Sequence, residues 1–218
     1  MKGLIKEIIP EGLKRYYRIN MRNIYRPYYL ENDVIYIHIP KAGGQSISYA
    51  LFGDTHPGHT KLTEFQRKSS EKYERFYKFT FVRCPYSRLQ SAYYYLKYNS
   101  TYSTDREFYD DNLSKFKDFK DFVINGLKMK EVISWVHFVP QYKFLVNEND
   151  EVDMDFIGKF ENINDDFEII SEKLGVKSEL LKRNISKNKK KLEFDEEMIS
   201  IVNDVYSRDF MELGYVQR

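Results

Sequence analysis

Two short apolar runs set the frame of the chain. Val34-Ile35-Tyr36-Ile37-His38-Ile39 is almost continuously apolar and β-branched and stops at Pro40. A run of this length without polar alternation fits a strand buried on both faces, as in a parallel sheet. Lys41-Ala42-Gly43-Gly44-Gln45-Ser46 follows as a tight turn, and Ile47 to Phe52 reads as the first turns of a helix. The order then repeats: Phe76 to Arg83 is a second apolar run, Pro85 breaks it, and helical spacing extends from Arg88 to about Tyr98. Phe156 to Phe160 reads as a further strand, and Asp118 to Met129, Asn162 to Leu174 and Asp195 to Leu213 carry helical spacing. Asn99 to Lys117 and Asn184 to Lys191 lack clear periodicity and read as loops. Strands alternating with helices predict an α/β fold, a single domain with a mainly parallel central sheet flanked by helices.

Residues 1–30 stand apart from this pattern, with 31–218 as the domain proper. Lys2, Lys6, Lys14, Arg15, Arg18, Arg22 and Arg26 face only Glu7 and Glu11, with Leu4, Ile8, Ile9, Leu13, Tyr16 and Tyr17 between them. The segment is expected to be a basic amphipathic helix. Its simpler role is to pack one face on the domain; its functional role is peripheral contact with anionic lipid or an acidic glycan.

Composition narrows the partners. The net charge is only +2, so no global field calls for nucleic acid, and an anion site has to be built locally. Cys84 is the single cysteine, which excludes an internal disulfide and any multi-cysteine metal site and fits a reducing compartment. No apolar run approaches the roughly 18–20 residues needed to span a bilayer, and no signal-peptide pattern opens the chain. A cytoplasmic location follows as the expectation, with the lumen of a secretory compartment as the alternative if an anchor preceded the chain. The Asn-x-Ser/Thr triplets at Asn99, Asn112 and Asn184 matter only in that second case.

The turn after the first strand is where chemistry is expected. A parallel strand that passes through glycines into a helix directs backbone N–H groups and the positive helix end at one point, which attracts phosphate. Gly43 and Gly44 let the backbone approach, Ser46 adds a hydroxyl, and Lys41 adds a mobile charge. This P-loop-like phosphate-binding turn departs from the nucleotide-triphosphatase pattern, because Lys41 precedes both glycines instead of following the last one.

Ile39-Pro40-Lys41-Ala42-Gly43-Gly44-Gln45-Ser46 resembles the 5′-phosphosulfate motif of sulfotransferases that use 3′-phosphoadenosine 5′-phosphosulfate (PAPS). Phe81-Val82-Arg83-Cys84-Pro85-Tyr86-Ser87-Arg88-Leu89-Gln90-Ser91-Ala92-Tyr93 resembles their 3′-phosphate motif. Trp135 to Gln141, Phe156 to Glu161, Tyr206 to Phe210 and Gly214-Tyr215 are similar to the carbohydrate branch of that superfamily, which includes heparan 2-O- and chondroitin/dermatan-type enzymes and bacterial relatives. The likeness covers about residues 34 to 216. Gln45 stands where Thr or Ser is usual, and Cys84 where Asn or Asp is usual.

The resemblance implies sulfuryl transfer from PAPS to a carbohydrate hydroxyl, with no metal and with adenosine 3′,5′-bisphosphate as product. It implies that Lys41 neutralises the leaving group and that Lys41, Ala42, Gly43, Gly44, Gln45 and Ser46 hold the 5′-phosphosulfate. Arg83 and Ser91 would take the 3′-phosphate, and Asn184, Ser186 and Lys187 would close over the nucleotide. Arg88 reads either as a ligand contact or as a structural ion pair. A histidine is the expected base: the segment His56-Pro57-Gly58-His59-Thr60 resembles the histidine-bearing segment of glycan 2-O-sulfotransferases, with His59 preferred to His56. His38 reads as a core or near-site residue, His137 as structural, and Glu64 or Glu161 as an acidic alternative. The loops at Lys61 to Arg75 and Asn99 to Lys130 are expected to form the acceptor site, for a bacterial polysaccharide, glycolipid or oligosaccharide. Two rival functions remain at this level, a P-loop kinase-like enzyme using ATP and a non-catalytic nucleotide- or glycan-binding protein.

Overall fold

The computed structural model of the chain describes residues 23–54, 56–180 and 193–218. Three strands, β1 (Val34–Ile37), β2 (Tyr77–Val82) and β3 (Phe156–Lys159), form a parallel sheet in the order β1-β2-β3. The register pairs Val34 with Tyr77 and Phe79 with Phe156, and Ile37 pairs with Thr80, whose hydroxyl donates to the Ile37 carbonyl at 2.7 Å. Parallel neighbours require crossovers, and these carry most of the helices. They run α1 (Pro27–Glu31), α2 (Gly44–Phe52), α3 (Leu62–Lys68), α4 (Ser70–Arg75) and α5 (Pro85–Tyr94). Next come α6 (Ser103–Phe108), α7 (Phe119–Asp121), α8 (Lys130–Ile133), α9 (Tyr142–Leu145), α10 (Ile163–Lys173), α11 (Glu196–Val205) and α12 (Ser207–Glu212). The chain is thus an α/β domain with a parallel sheet flanked by helices.

Apolar side chains form two cores. One is built on the sheet, with Ile35, Ile37, Phe79 and Phe81 packed against Ile47 of α2 and Phe167 of α10. The other lies among the helices, with Leu89 and Tyr93 of α5 meeting Phe122, Phe138, Met198 and Phe210. Much of the aromatic content is spent here: Tyr93 stacks on Phe122 at 4.9 Å between ring centroids, and Phe122 lies 5.0 Å from Phe138.

Several expectations need correction. β1 ends at Ile37, two residues early, and α2 starts at Gly44 rather than Ile47. Asn99 to Lys117 is not a loop: α6 and a wider π turn, Tyr109–Leu113, occupy most of it, because Phe108 and Leu113 bury into the helical core. Asp195 to Leu213 divides into α11 and α12 at Tyr206, which leaves helical geometry (φ −110°, ψ 23°) and donates its buried hydroxyl to the Phe138 carbonyl at 2.8 Å. Lys61 to Arg75 also forms two helices. Of these α4 leads into the amino end of β2, and Arg75 bonds Asp33 just before β1, so this helix lies at the opposite end of the sheet from the Lys41 turn. Of the expected helix over residues 1–30, residues 1–22 lie outside the described residues; within the remainder only Pro27–Glu31 is helical. Asn184, Ser186 and Lys187 also lie outside them.

Candidate active site

The carboxyl ends of β1 and β2 open side by side, the place where α/β sheets bind ligands. After β1 the chain turns through Lys41, whose φ of 69° is left-handed, and through Gly43 at φ 82°. A left-handed lysine costs about 1–2 kcal/mol, so the turn is held by its surroundings. Gly43 and Gly44 are both needed for close packing. A Cβ on Gly43 would lie 2.8 Å from Ile163 Cδ1, and one on Gly44 would lie 1.9 Å from His38 Cδ2. The backbone N–H groups of Ser46 and Ile47 return to the Gly43 carbonyl, which closes the first turn of α2. Ala42 is buried, Ser46 half-buried and Gln45 exposed.

The second motif is bonded to the first. Arg83, just past β2, donates from Nη1 to the Lys41 carbonyl at 3.2 Å and from Nε to Ser87 Oγ at 2.9 Å, and its guanidinium lies 4.2 Å from the Phe160 ring centroid. Its backbone is gripped on both sides by buried Gln141, which accepts from Arg83 N at 2.9 Å and donates to Arg83 O at 2.8 Å. Asp209 fixes that segment by accepting from the backbone N–H groups of Gln141 and Tyr142 at 2.8 and 2.9 Å. Ser91 stands one turn beyond Ser87 on α5, and Tyr95 one turn beyond Ser91, so the three share a face. Arg83 bonds Ser87 rather than Ser91, a contact that the sequence reading missed although the i, i+4 spacing of the two serines was visible.

Arg88 is buried beneath the turn. It donates from Nε to the Pro40 carbonyl at 3.1 Å and from Nη1 to the Val139 carbonyl at 3.0 Å, while its buried Nη2 has no hydrogen-bond partner. Arg88 makes no ion pair among the described residues, and its bonds brace main chain. Glu161 accepts from the Cys84 N–H at 2.9 Å and from the Tyr215 hydroxyl at 2.8 Å, and Glu64 caps the start of α3 through the Lys61 N–H.

Three histidines converge beside Lys41. The His38 and His59 rings are 4.5 Å apart, and those of His59 and His137 are 6.3 Å apart. His38 Nδ1 lies 2.8 Å from the Gly58 carbonyl, and His59 Nδ1 lies 3.1 Å from the His38 carbonyl. A carbonyl only accepts, so both Nδ1 atoms carry the proton and Nε2 keeps the lone pair in the neutral ring. His137 Nε2 faces Asp105 Oδ2 at 3.3 Å, and its buried Nδ1 has no hydrogen-bond partner. Burial pushes His59 down to about 4 and His38 to about 3, and it lowers His137 against the pull of Asp105. The His59 ring is therefore neutral at pH 7. His56 is exposed, and its carbonyl accepts from Arg26 Nη2 at 2.9 Å.

Lys41 completes the group. Its Nζ lies 3.8 Å from the Tyr95 ring centroid, and burial, helped by the charge of Arg83, lowers its pKa to about 8. Tyr95 and Asp105 were missed from sequence because one closes a helix and the other sat in a presumed loop. Among the described residues no cluster of three or more histidine, cysteine or carboxylate side chains has metal-binding geometry, and no helix is long and apolar enough to cross a membrane.

A family model described as "Sulfotransferase family" matches residues 30–216. The chain belongs to the sulfotransferase family. Membership makes sulfuryl transfer to an acceptor the general reaction, and for the family at large PAPS is the sulfate donor. No curated protein and no solved structure matches this sulfotransferase.

Proposed function

We propose that this sulfotransferase moves the sulfuryl group of PAPS onto a hydroxyl of a carbohydrate, with Lys41 neutralising the leaving group and His59 taking the acceptor proton. The carrying observation is the direct bond from Arg83 Nη1 to the Lys41 carbonyl, which sets the two expected anion-binding motifs side by side at one end of the sheet.

The residues present suit the donor. Lys41, Arg83, Ser46, Ser87 and Ser91 are cationic or hydroxyl-bearing groups around a glycine turn at a helix start, a set that matches two separated phosphate groups and a sulfate. Ala42, Gly43, Gly44 and Gln45 contribute the backbone of that turn, and the resemblance adds Asn184, Ser186 and Lys187 from the later basic segment. PAPS, when bound, supplies a sulfuryl group activated by its anhydride link to phosphate.

Each residue then has a definable task. The Lys41 ammonium neutralises charge that grows on an oxygen in the transition state, the effect through which preorganised electrostatics accelerate group transfer. His59 is held by its Nδ1–H bond to the His38 carbonyl, so Nε2 is the basic atom, and a proton taken there is accommodated as imidazolium. His38 and Arg88 position these two through main-chain bonds.

The carbohydrate assignment draws on the space beyond His38. A cavity of about 320 Å³ lies there, lined by Tyr28, Tyr29, Tyr36, Thr60 and the Arg26–Asp54 ion pair. Rings beside paired polar groups suit the mixed faces of a sugar, in a polysaccharide, glycolipid or oligosaccharide of the bacterial kind. The location that goes with this reading is cytoplasmic, with residues 1–30 as a peripheral membrane contact.

The test is transfer from radiolabelled PAPS to a panel of oligosaccharides, a tyrosine peptide and small alcohols, with Lys41→Ala as the control. Label on an oligosaccharide that disappears in the variant is the expected result. Label only on peptide or alcohol overturns the carbohydrate acceptor, and label on nothing overturns the transfer reaction.

A further inference from the structure

The ammonium of Lys41 rests on an aromatic face that is itself unusually well held. Tyr95 opens a π turn, Tyr95–Asn99, directly after α5, at the point where the helix widens. Such widened turns rotate side chains out of α register and recur at functional sites. The ring face lies under Lys41 Nζ at 3.8 Å. The Tyr95 hydroxyl donates to Asp105 Oδ2 at 3.1 Å, His137 Nε2 approaches the same oxygen at 3.3 Å, and the Tyr95 and His137 rings are 5.1 Å apart. Asp105 is buried at 6% exposure, so the three groups form an internal brace under the ring.

We propose that Tyr95 is a positioning residue for Lys41: its ring seats the ammonium at the mouth of the glycine turn, and the Asp105–His137 pair fixes the ring. A lysine stem has four rotatable carbons, and an unseated ammonium samples many positions. A cation over a ring face is attracted by the ring quadrupole, and a group already near its working position avoids reorganisation when the reaction occurs. The charged groups that face Lys41 are Arg83, which opposes its charge, and Asp105, which favours it; His38 and His137 flank it as neutral rings. None of them replaces the ring contact. The inference rests on the donor reading above.

The experiment follows three proteins, wild type, Tyr95→Phe and Tyr95→Leu. Phe keeps the ring face and loses the tie to Asp105; Leu keeps apolar bulk and loses the face. The Lys41 titration is read in the free protein by NMR of carbon-13-labelled lysine, binding of adenosine 3′,5′-bisphosphate is read by calorimetry, and transfer is read with PAPS. The Leu variant should lower the Lys41 midpoint by about half a unit. It should also reduce kcat by about tenfold while the bisphosphate affinity stays within about twofold, and Phe, which keeps the face but loses the tie to Asp105, should fall between wild type and Leu in midpoint and kcat. An unchanged midpoint or an unchanged kcat in the Leu variant overturns the positioning role. Failure of the wild type to bind the bisphosphate overturns the donor reading and with it the catalytic meaning of the seat; the titration still decides separately whether the ring holds Lys41.

Discussion

Gly44 and His38 share one space: a Cβ on Gly44 would lie 1.9 Å from His38 Cδ2 and 2.6 Å from its Nε2. His38 also supplies the carbonyl that orients His59. The start of α2 and the proposed base are therefore mechanically coupled. Gly44→Ala should displace His38, lower stability by about 1–3 kcal/mol through overpacking, and cut kcat/KM by about a hundredfold. A thermal melt and steady-state rates check this, and near-normal activity in the alanine variant speaks against the coupling.

His59 and His56 are only three residues apart, yet the structure separates them. His59 lies against His38 within reach of the Lys41 cluster, whereas His56 is exposed. His59→Gln should lose about 10²–10⁴ in kcat, and His56→Gln should stay within about threefold of wild type. The reverse order of effects would move the base assignment to His56.

Removing Arg88 strands two buried carbonyls, those of Pro40 and Val139. Arg88→Met should cost about 1–3 kcal/mol for each unsatisfied group, offset in part by removal of a buried charge. Urea unfolding should show a lower midpoint with an unchanged slope, and donor affinity should weaken because the Pro40–Lys41 turn loses its brace. An undisturbed midpoint would mean that the turn is held from elsewhere.

Acid should destabilise the fold through its histidines. His38 and His59 titrate at about 3 and about 4 when folded, and His137 is also lowered, against roughly 6.5 when unfolded. Between those values the unfolded chain binds more protons, so this contribution to stability is complete above about pH 6.5 and is lost as pH falls toward 4. Urea midpoints at pH 7 and pH 5 measure it, and His59→Gln should flatten the difference. At the other end, kcat/KM should fall as pH rises through about 8, where Lys41 loses its proton in the free protein.

The sequence showed β1 and β2 because buried parallel strands are near-continuous apolar runs, and both motifs were legible because glycine, proline and lysine mark such turns locally. What it hid depends on non-local packing. Tyr206 breaks the last helix only because its hydroxyl finds the Phe138 carbonyl, and Asn99 to Lys117 is helical only because Phe108 and Leu113 have a helical core to enter. The histidines illustrate the same limit. His38, His59 and His137 come from three separate segments, and their spacing along the chain says nothing of their ring contacts. Tyr95 and Asp105 carry no motif at all, and they meet across ten residues of chain through a side-chain hydrogen bond.

In the proposed reaction this sulfotransferase holds PAPS across Lys41 and Arg83. The most direct measurement is calorimetric titration with adenosine 3′,5′-bisphosphate, set beside adenosine 5′-phosphate and ATP with magnesium and repeated on Arg83→Ala. Tight binding that needs the 3′-phosphate and collapses in the variant is the predicted result; a preference for ATP, or bisphosphate binding that survives the loss of Arg83, would contradict it.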